Sequence, residues 1–204
     1  RIANLAATPD PDVSLHVASS LTFDGSDDYV DFVNPSALET GPGSFTYEAW
    51  VNAAVSNSGR MQILQVGNDL VTNDALTLYV EGGVLKADLT NDPGAVGATD
   101  VRGDWHHVAV TYDASLATNN LTVYVNGEAD GTGTVTPDIA SVVRANIGVL
   151  DNGTTQTSPF EGEIADVRAW DYVRTPAQLA ANDTGDLDGT EPGLLGHWKL
   201  DDSL

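Results

Sequence analysis

The feature that most constrains this chain is the regular alternation of short apolar runs with turn-forming residues. Runs such as Phe45 to Val51 and Val84 to Leu89 place aromatic, aliphatic and β-branched residues at every second position. Glu81-Gly82-Gly83 and Asn126-Gly127 are turn signals of the hairpin type. The pattern predicts an all-β fold in which about a dozen short strands form two antiparallel sheets packed face to face.

The first part of the chain predicts a hairpin. Leu21 to Phe23 and Tyr29 to Val33 both contain strand-forming residues, and the turn formers Asp24 to Asp27 separate them. Further along, Asp92-Pro93-Gly94 predicts the start of a long loop, because proline cannot donate a hydrogen bond to a strand ladder.

One segment near the C-terminus predicts a short helix. Thr175 is a suitable N-cap, Pro176 suits the first helical position, and Ala177 to Ala181 continues the helix. Leu194 to Leu200 then predicts a last strand. The 204 residues are expected to form a single domain over 1–204, with 194–204 either closing the sandwich or beginning a next module.

Charge and composition exclude several function classes. Thirty acidic residues against eight basic residues give a net charge of -22, which repels nucleic acids and anionic lipids. No apolar run approaches the roughly 18 residues that a membrane-spanning helix needs. The absence of cysteine excludes disulfides and thiolate metal sites. We therefore expect no nucleic-acid partner and no membrane insertion.

Aspartate dominates the acidic residues. Of the 30 acidic residues, 23 are Asp, a residue that favours turns over helix interiors. Two uses of this excess remain open at this point. The carboxylates are suitable ligands for calcium, which prefers several oxygen atoms, or they form a solubilising, salt-adapted surface.

Five ordered segments carry a family resemblance. They are Leu21 to Val30, Phe45 to Val51, Gly103 to Asp113, Leu121 to Gly127 and Phe160 to Trp170. In order and spacing they resemble the laminin G-like jelly-roll domains of the concanavalin A-like lectin and glucanase superfamily. The resemblance implies a two-sheet antiparallel jelly-roll sandwich with one short helix near the C-terminus. It also implies a secreted or cell-surface module that binds carbohydrate or protein and usually carries calcium.

The resemblance implies a calcium site that joins an early hairpin to a late strand. The expected ligands are Asp24, the carbonyl of Gly25, Asp27, Asp28 and Asp166. The chain departs from the family pattern here, because Ile164-Ala165-Asp166-Val167 stands where relatives commonly have Ile-Asp-Glu-Val.

Loop residues supply further candidate ligand-binding side chains. Binding residues of a rigid sandwich collect on its loops, and the candidates on these loops are Asp69, Asn73, Asp74, Asp151 and Asn152. Ordinary turn chemistry is the alternative explanation of the same residues, and the residue types favour it.

Catalysis is not expected. Laminarinase-like relatives carry a Glu, Asp, Glu series at alternate positions of one strand, whereas Glu161, Glu163 and Ala165 break that series here. The first hypothesis is a calcium-containing extracellular or cell-surface module, monomeric, within a larger adhesin-type protein, that binds a glycan or glycoprotein and contacts neighbouring modules of the same chain. The alternatives are a non-binding structural spacer in an adhesin and an accessory domain of a polysaccharide-active enzyme.

Overall fold

The computed structural model describes residues 20–32, 35–67, 75–89, 92–137, 139, 142–181, 187 and 189–200, with the backbone alone for 92 and 93. The strands of the described residues are β1 (Leu21–Asp24), β2 (Val30–Asp31), β3 (Phe45–Ala53), β4 (Met61–Gly67), β5 (Ala75–Glu81), β6 (Val84–Leu89), β7 (Asp92–Asp100), β8 (His106–Tyr112), β9 (Leu121–Val125), β10 (Glu128–Gly133), β11 (Arg144–Ile147), β12 (Leu150–Asp151), β13 (Gln156–Thr157), β14 (Glu161–Trp170) and β15 (Leu194–Trp198). A 3-10 turn spans Pro35–Leu38, and helix α1 spans Pro176–Ala181.

Two antiparallel sheets form the sandwich, which confirms the expected jelly-roll architecture. The first, here called sheet A, has the order β1-β14-β3-β8-β9-β10, with β15 also paired to β14. The second, sheet B, has the order β2-β11-β4-β5-β6-β7, and β12 and β13 form a separate hairpin. None of the helices in the described part of the chain is long and apolar enough to cross a bilayer.

The core lies between the two sheets because alternate residues of their strands are apolar. On β3, Phe45, Tyr47 and Val51 are buried in this core. On β5, Leu76 and Leu78 approach it from the opposite sheet. The intervening residues of each strand therefore point to the outer face of their sheet, away from the core.

The predicted first hairpin is wrong. Strand β1 pairs with β14 in sheet A, whereas β2 pairs with β11 in sheet B. The Asp24 to Asp28 segment therefore crosses from one sheet to the other instead of joining two paired strands. The sequence predicts strand correctly for residues 21–23 and 30–31, but the pattern of a single strand carries no information on its partner.

The loop predicted at Asp92-Pro93-Gly94 is also wrong, because these residues begin β7. β7 is the edge strand of sheet B, which is the position where a sheet tolerates proline. Its other side lies against β10 of sheet A at very short range, since a Cβ added to Gly131 would lie 2.0 Å from the Val96 carbonyl oxygen. A glycine is needed there to let the two sheets close together.

The C-terminal elements are found where the sequence predicts them. Thr175 and Gln178 form a reciprocal capping box at the start of α1, in which the Thr175 amide donates to the Gln178 side chain and the Gln178 amide to Thr175 Oγ1. Strand β15 pairs with β14, and the Trp198 ring stacks on Phe32 with centroids 4.1 Å apart. Residues 194–198 thus pack on this sandwich, while 201–204 lie outside the described residues.

Candidate functional site

Three acidic side chains converge in the crossing between the two sheets. Carboxylate oxygens of Asp24, Asp27 and Asp28 lie within 4.8 Å of one another, and all three residues are exposed. The turn is held by the Ser26 amide, which donates to Asp24 Oδ1 at 2.8 Å, and by the Asp24 amide, which donates to Asp28 Oδ2 at 2.9 Å. Gly25 supplies the positive φ of 79° that the turn requires.

Asp166, the fifth expected ligand, lies elsewhere. Asp24 is paired with Glu161, five residues before Asp166 on the same strand. Asp166 has a positive φ of 51° at a bulge of β14, and its carboxylate binds Arg168 and His197, each at 2.5 Å. Because of the bulge, the Asp166 side chain does not have the direction that it would have in a regular strand.

Glu161, and not Asp166, is the β14 carboxylate that lies beside this turn. Its side chain packs against Gly25, where an added Cβ would lie 3.1 Å from Glu161 Cβ. Ser56 Oγ and Asn57 Nδ2 donate to its two oxygens at 3.1 and 3.2 Å. The β1 and β14 pairing, and not any local motif, brings Glu161 to this turn.

Asp166 and its partners form a closed ion-pair cluster. Burial opposes ionisation of Asp166, but the hydrogen bond from His197 and the charge of Arg168 outweigh it and hold the pKa of Asp166 below its ordinary value. His197 also borders a cavity of about 280 Å³ beside β15, which is lined largely by leucine and glycine. The described contacts of Asp166 are thus structural.

Of the candidate loop residues, two are described. The backbone of Asp151 exchanges two hydrogen bonds with the Gln65 side chain, at 2.7 and 2.8 Å, so the β12 and β13 hairpin is anchored on sheet B. The Asn152 side-chain oxygen accepts from Thr154 and Thr155 within its own turn. Asp69, Asn73 and Asp74 lie outside the described residues.

A straight row of polar side chains crosses the outer face of sheet B. Successive strands β2, β11, β4, β5 and β6 each contribute one member, and neighbouring members are paired in register. The members of this polar row are Asp31, Asn146, Gln65, Thr77 and Asp88. Because strands lie about 4.8 Å apart, the row spans roughly 19 Å perpendicular to the strands.

Side-chain hydrogen bonds join the two members at each end of the row. Asn146 Nδ2 donates to Asp31, and Thr77 Oγ1 donates to Asp88. The middle of the row is buried, and Asn146 Oδ1 is a buried acceptor without a hydrogen-bond donor among the described residues. A buried acceptor of this kind costs stability unless something donates to it.

At the β6 end of the row, an arginine is locked in place. The Arg60 guanidinium lies 3.7 Å above the centre of the Tyr79 ring, and its Nη2 donates to Thr77 Oγ1 at 2.9 Å. Tyr79 Oη donates to Asp88 Oδ2 at 2.8 Å, and burial together with the Asp88 charge raises the pKa of Tyr79. The tyrosine therefore remains a hydrogen-bond donor at neutral pH.

Solvent reaches this end of the row. The side chains of Arg60 and Asp88 are 25% and 26% exposed, whereas Thr77 between them is buried. A donor and an acceptor are thus presented side by side on a rigid sheet. The polar residues at alternate positions of β5 and β6 indicate in the sequence that one face of these strands is polar. The register between the strands is needed to show that these residues form a row.

The outer face of sheet A is closed by contrast. Glu48 is fully buried there and accepts from Trp170 Nε1 at 2.9 Å and from Arg174. His107 Nε2 lies 3.4 Å from its second oxygen. The segment from Trp170 to α1 covers this face, and Leu179 packs on Ala109.

A family model matches residues 24–180, which is most of the chain. The description of that family is the concanavalin A-like lectin/glucanases superfamily, in its laminin G-like group. Among curated proteins, the chain is 29% identical over 109 residues to the rat "Sushi, von Willebrand factor type A, EGF and pentraxin domain-containing protein 1". That match covers 50% of this chain and 3% of the rat protein.

Solved structures share the fold. A candidate carbohydrate-binding protein from Bacteroides ovatus superposes with a TM-score of 0.66 at 25% identity, covering 91% of this chain and 52% of that one. The CBM40 domain of the Ruminococcus gnavus IT-sialidase, solved with α2,3-sialyllactose, gives 0.62 at 19% identity over 80% of this chain and 96% of its own. A pentraxin from Limulus polyphemus gives 0.60 at 16% identity, covering 81% and 82% of the two chains.

Proposed function

Since the chain belongs to the concanavalin A-like lectin/glucanase superfamily, we propose that it is a carbohydrate-binding module whose sugar-binding surface is the outer face of sheet B. The observation that carries this proposal is the pairing of Arg60 and Asp88 at the open end of the polar row. Sugar hydroxyls both donate and accept, so an adjacent fixed donor and fixed acceptor suit a pair of neighbouring hydroxyls.

Pre-organisation strengthens this proposal. Arg60 is held by Tyr79 and Thr77, and Asp88 by Thr77 and Tyr79. A ligand therefore binds without first ordering these long side chains, which lowers the entropic cost of binding. The Bacteroides ovatus and Ruminococcus gnavus relatives support the same class of ligand by analogy.

Calcium is proposed as a second component, at the turn of Asp24, Asp27 and Asp28. The donor set fits, because three exposed carboxylates with oxygens within 4.8 Å of one another repel in the absence of a cation. When bound, calcium neutralises this repulsion. These residues then hold the crossing between β1 of sheet A and β2 of sheet B in one conformation.

The module is proposed to act outside the cell or at its surface, as a monomeric part of a larger protein. The rat relative supports membership of a larger protein, since its matching segment is a small part of a protein that contains several kinds of domain. A glycan or glycoprotein is the proposed partner, together with neighbouring modules of the same chain. Sedimentation of the purified chain tests the monomer, and a dimer mass would contradict it.

Glycan binding is tested with an array probed in millimolar calcium, followed by calorimetry on the sugars that bind. Arg60→Ala should weaken binding by at least about tenfold, because it removes a fixed donor at the site. Arg102→Ala is the matched control, since Arg102 is also partly exposed and also paired with an aspartate, Asp100 at 2.7 Å. Equal affinity of the two variants contradicts a site at Arg60. No binding to any sugar contradicts the function and favours the spacer.

Calcium binding is tested separately by calorimetry and by the melting temperature with calcium and with excess chelator. We expect a calcium-dependent rise in melting temperature that the double variant Asp27→Asn, Asp28→Asn abolishes. Asp113→Asn and Asp171→Asn together control for the loss of two negative charges. A rise that persists in the Asp27 and Asp28 variant places the ion elsewhere, and no rise contradicts a calcium site.

A further inference from the structure

We propose that the site on sheet B selects uncharged sugars and rejects sugars that carry a carboxylate or sulfate. This inference rests on the proposed function, and it concerns the chemical class of the ligand. We base this inference on the Arg60 guanidinium, which lies at the open end of the polar row and is already paired with Asp88.

Two cations of this face, Arg60 and Lys86, are already paired with carboxylates of the protein itself. Arg60 Nη2 lies 3.8 Å from Asp88 Oδ1, and Lys86 donates to Glu81 Oε2 at 2.7 Å. Among the described residues, an acidic sugar therefore meets Arg60 and Lys86 only as members of existing ion pairs.

Each end of the polar row carries a carboxylate. Asp31 is exposed at the β2 end, and Asp88 is partly exposed at the β6 end. The hydrogen bonds that Asp31 and Asp88 receive come from neutral side chains, those of Asn146, Thr77 and Tyr79. The net charge of -22 adds a long-range repulsion of the same sign. Placing a carboxylate beside such groups is unfavourable, because like charges repel when they are brought together at an interface.

The hydroxyl groups of uncharged sugars do not experience this repulsion. Asp88 accepts from a sugar hydroxyl without competition from a ligand charge, and Arg60 donates to the neighbouring hydroxyl oxygen. Charge-assisted hydrogen bonds of this kind are stronger than neutral ones. This chain shares its fold with the Ruminococcus gnavus domain that was solved with sialyllactose. The charges of this chain, however, favour uncharged sugars.

The test compares ligands that differ only in charge. The pairs are lactose with 3′-sialyllactose, methyl-esterified with free-acid oligogalacturonides, and each neutral sugar found on the array with its acidic derivative. Calorimetry should give at least about tenfold tighter binding of the neutral member. Raising the salt from about 0.02 M to 0.5 M should narrow this ratio, because it screens the long-range part of the repulsion.

Asp88→Asn identifies the residue responsible. The variant removes the negative partner of Arg60, so the ratio of neutral to acidic affinity should fall by about tenfold or more. Glu128→Gln is the control for a change of one charge, because Glu128 is exposed on β10 of the other sheet. Melting temperature and circular dichroism of both variants verify the fold.

Each outcome decides between the proposals. The inference is supported if the protein prefers neutral ligands, if Asp88→Asn reduces this preference and if Glu128→Gln leaves it unchanged. Equal or tighter binding of acidic ligands by the unmodified protein overturns the inference and leaves the carbohydrate-binding function standing. A preference unchanged in Asp88→Asn overturns the role of this site. Binding of neither member of any pair overturns the function and the inference together.

Discussion

Replacing Glu48 with glutamine should destabilise this protein more than any other loss of a single carboxylate described above. Glu48 is fully buried, and it accepts hydrogen bonds from Trp170 and Arg174. Glutamine preserves the shape and the acceptor for Trp170, but it removes the charge that offsets Arg174. Breaking a buried ion pair from one side costs about 3–5 kcal/mol.

The lower end of that range applies here, because the Arg174 side chain keeps 11% of its surface exposed. We therefore expect Glu48→Gln to lower the free energy of unfolding by about 3 kcal/mol. For a domain of this size, that corresponds to a fall in melting temperature of roughly 6–12 °C. Urea denaturation at neutral pH gives the free energy, and calorimetry gives the melting temperature.

The pH dependence distinguishes lost charge from lost packing. Burial opposes ionisation of Glu48, but the hydrogen bond and charge of His107 and the charges of Arg174 and Arg168 hold the pKa of Glu48 below its ordinary value. A carboxylate of this kind stabilises the fold fully above the unfolded pKa of about 4.3, and the contribution is lost as pH falls through the folded pKa. The difference between wild type and Glu48→Gln should therefore be constant near neutral pH and shrink in acid.

Glu163→Gln is the matched control for this experiment. Glu163 is half-buried and accepts from Ser20 Oγ at 3.0 Å and Asn52 Nδ2 at 3.4 Å, with no described cation in ion-pair contact. Its replacement should cost less than about 1 kcal/mol. A Glu48→Gln variant within about 1 kcal/mol of wild type, or one whose deficit does not shrink in acid, refutes the reasoning.

Three further outcomes are expected. Trp198→Ala should lower the free energy of unfolding by about 2–4 kcal/mol in urea, because it removes the stack on Phe32 that helps to hold β15 on the sandwich; an unchanged midpoint would mean that this stack adds no stability. Asp130→Ala should cost about 1–2 kcal/mol, because the Asp130 carboxylate of β10 accepts from the Ala98 and Thr99 amides of β7 and so links the sheets; Asp113→Ala should not reproduce the effect. Sodium chloride should raise the melting temperature, because it screens the self-repulsion of a chain of charge -22; a melting temperature indifferent to salt contradicts this.

The strands and the helix could be predicted from the sequence because their signals are local. Alternation predicts β3 and β6, and the Thr175 cap with Pro176 predicts the start of α1. β7 was missed because its proline and glycine are acceptable only at an edge strand that lies close to the other sheet. Neither the edge position nor that proximity is encoded in the segment itself.

The site was less predictable because it depends on pairing. The carboxylates of Asp24, Asp27 and Asp28 are close in sequence, so their convergence follows from one turn. Asp166 required the register of β14, and a bulge alters that register. The polar row required five strands to be aligned at once, and a shift of one residue in any strand would move its member to the core face.

The outer faces of sheets A and B differ in exposure, although on both faces an arginine pairs with a carboxylate. On sheet A, the segment from Trp170 to α1 covers Glu48 and supplies Arg174 to neutralise it, so that face is closed by the chain itself. On sheet B, Arg60 and Asp88 neutralise each other while both remain a quarter exposed. A polar pair that is rigid, neutral as a unit and open to solvent loses little by exchanging water for sugar hydroxyls. Glu48→Gln should therefore lower stability without changing glycan affinity at temperatures where the fold is intact. Arg60→Ala should lower glycan affinity and cost less stability than Glu48→Gln, because a quarter of the Arg60 side chain is exposed.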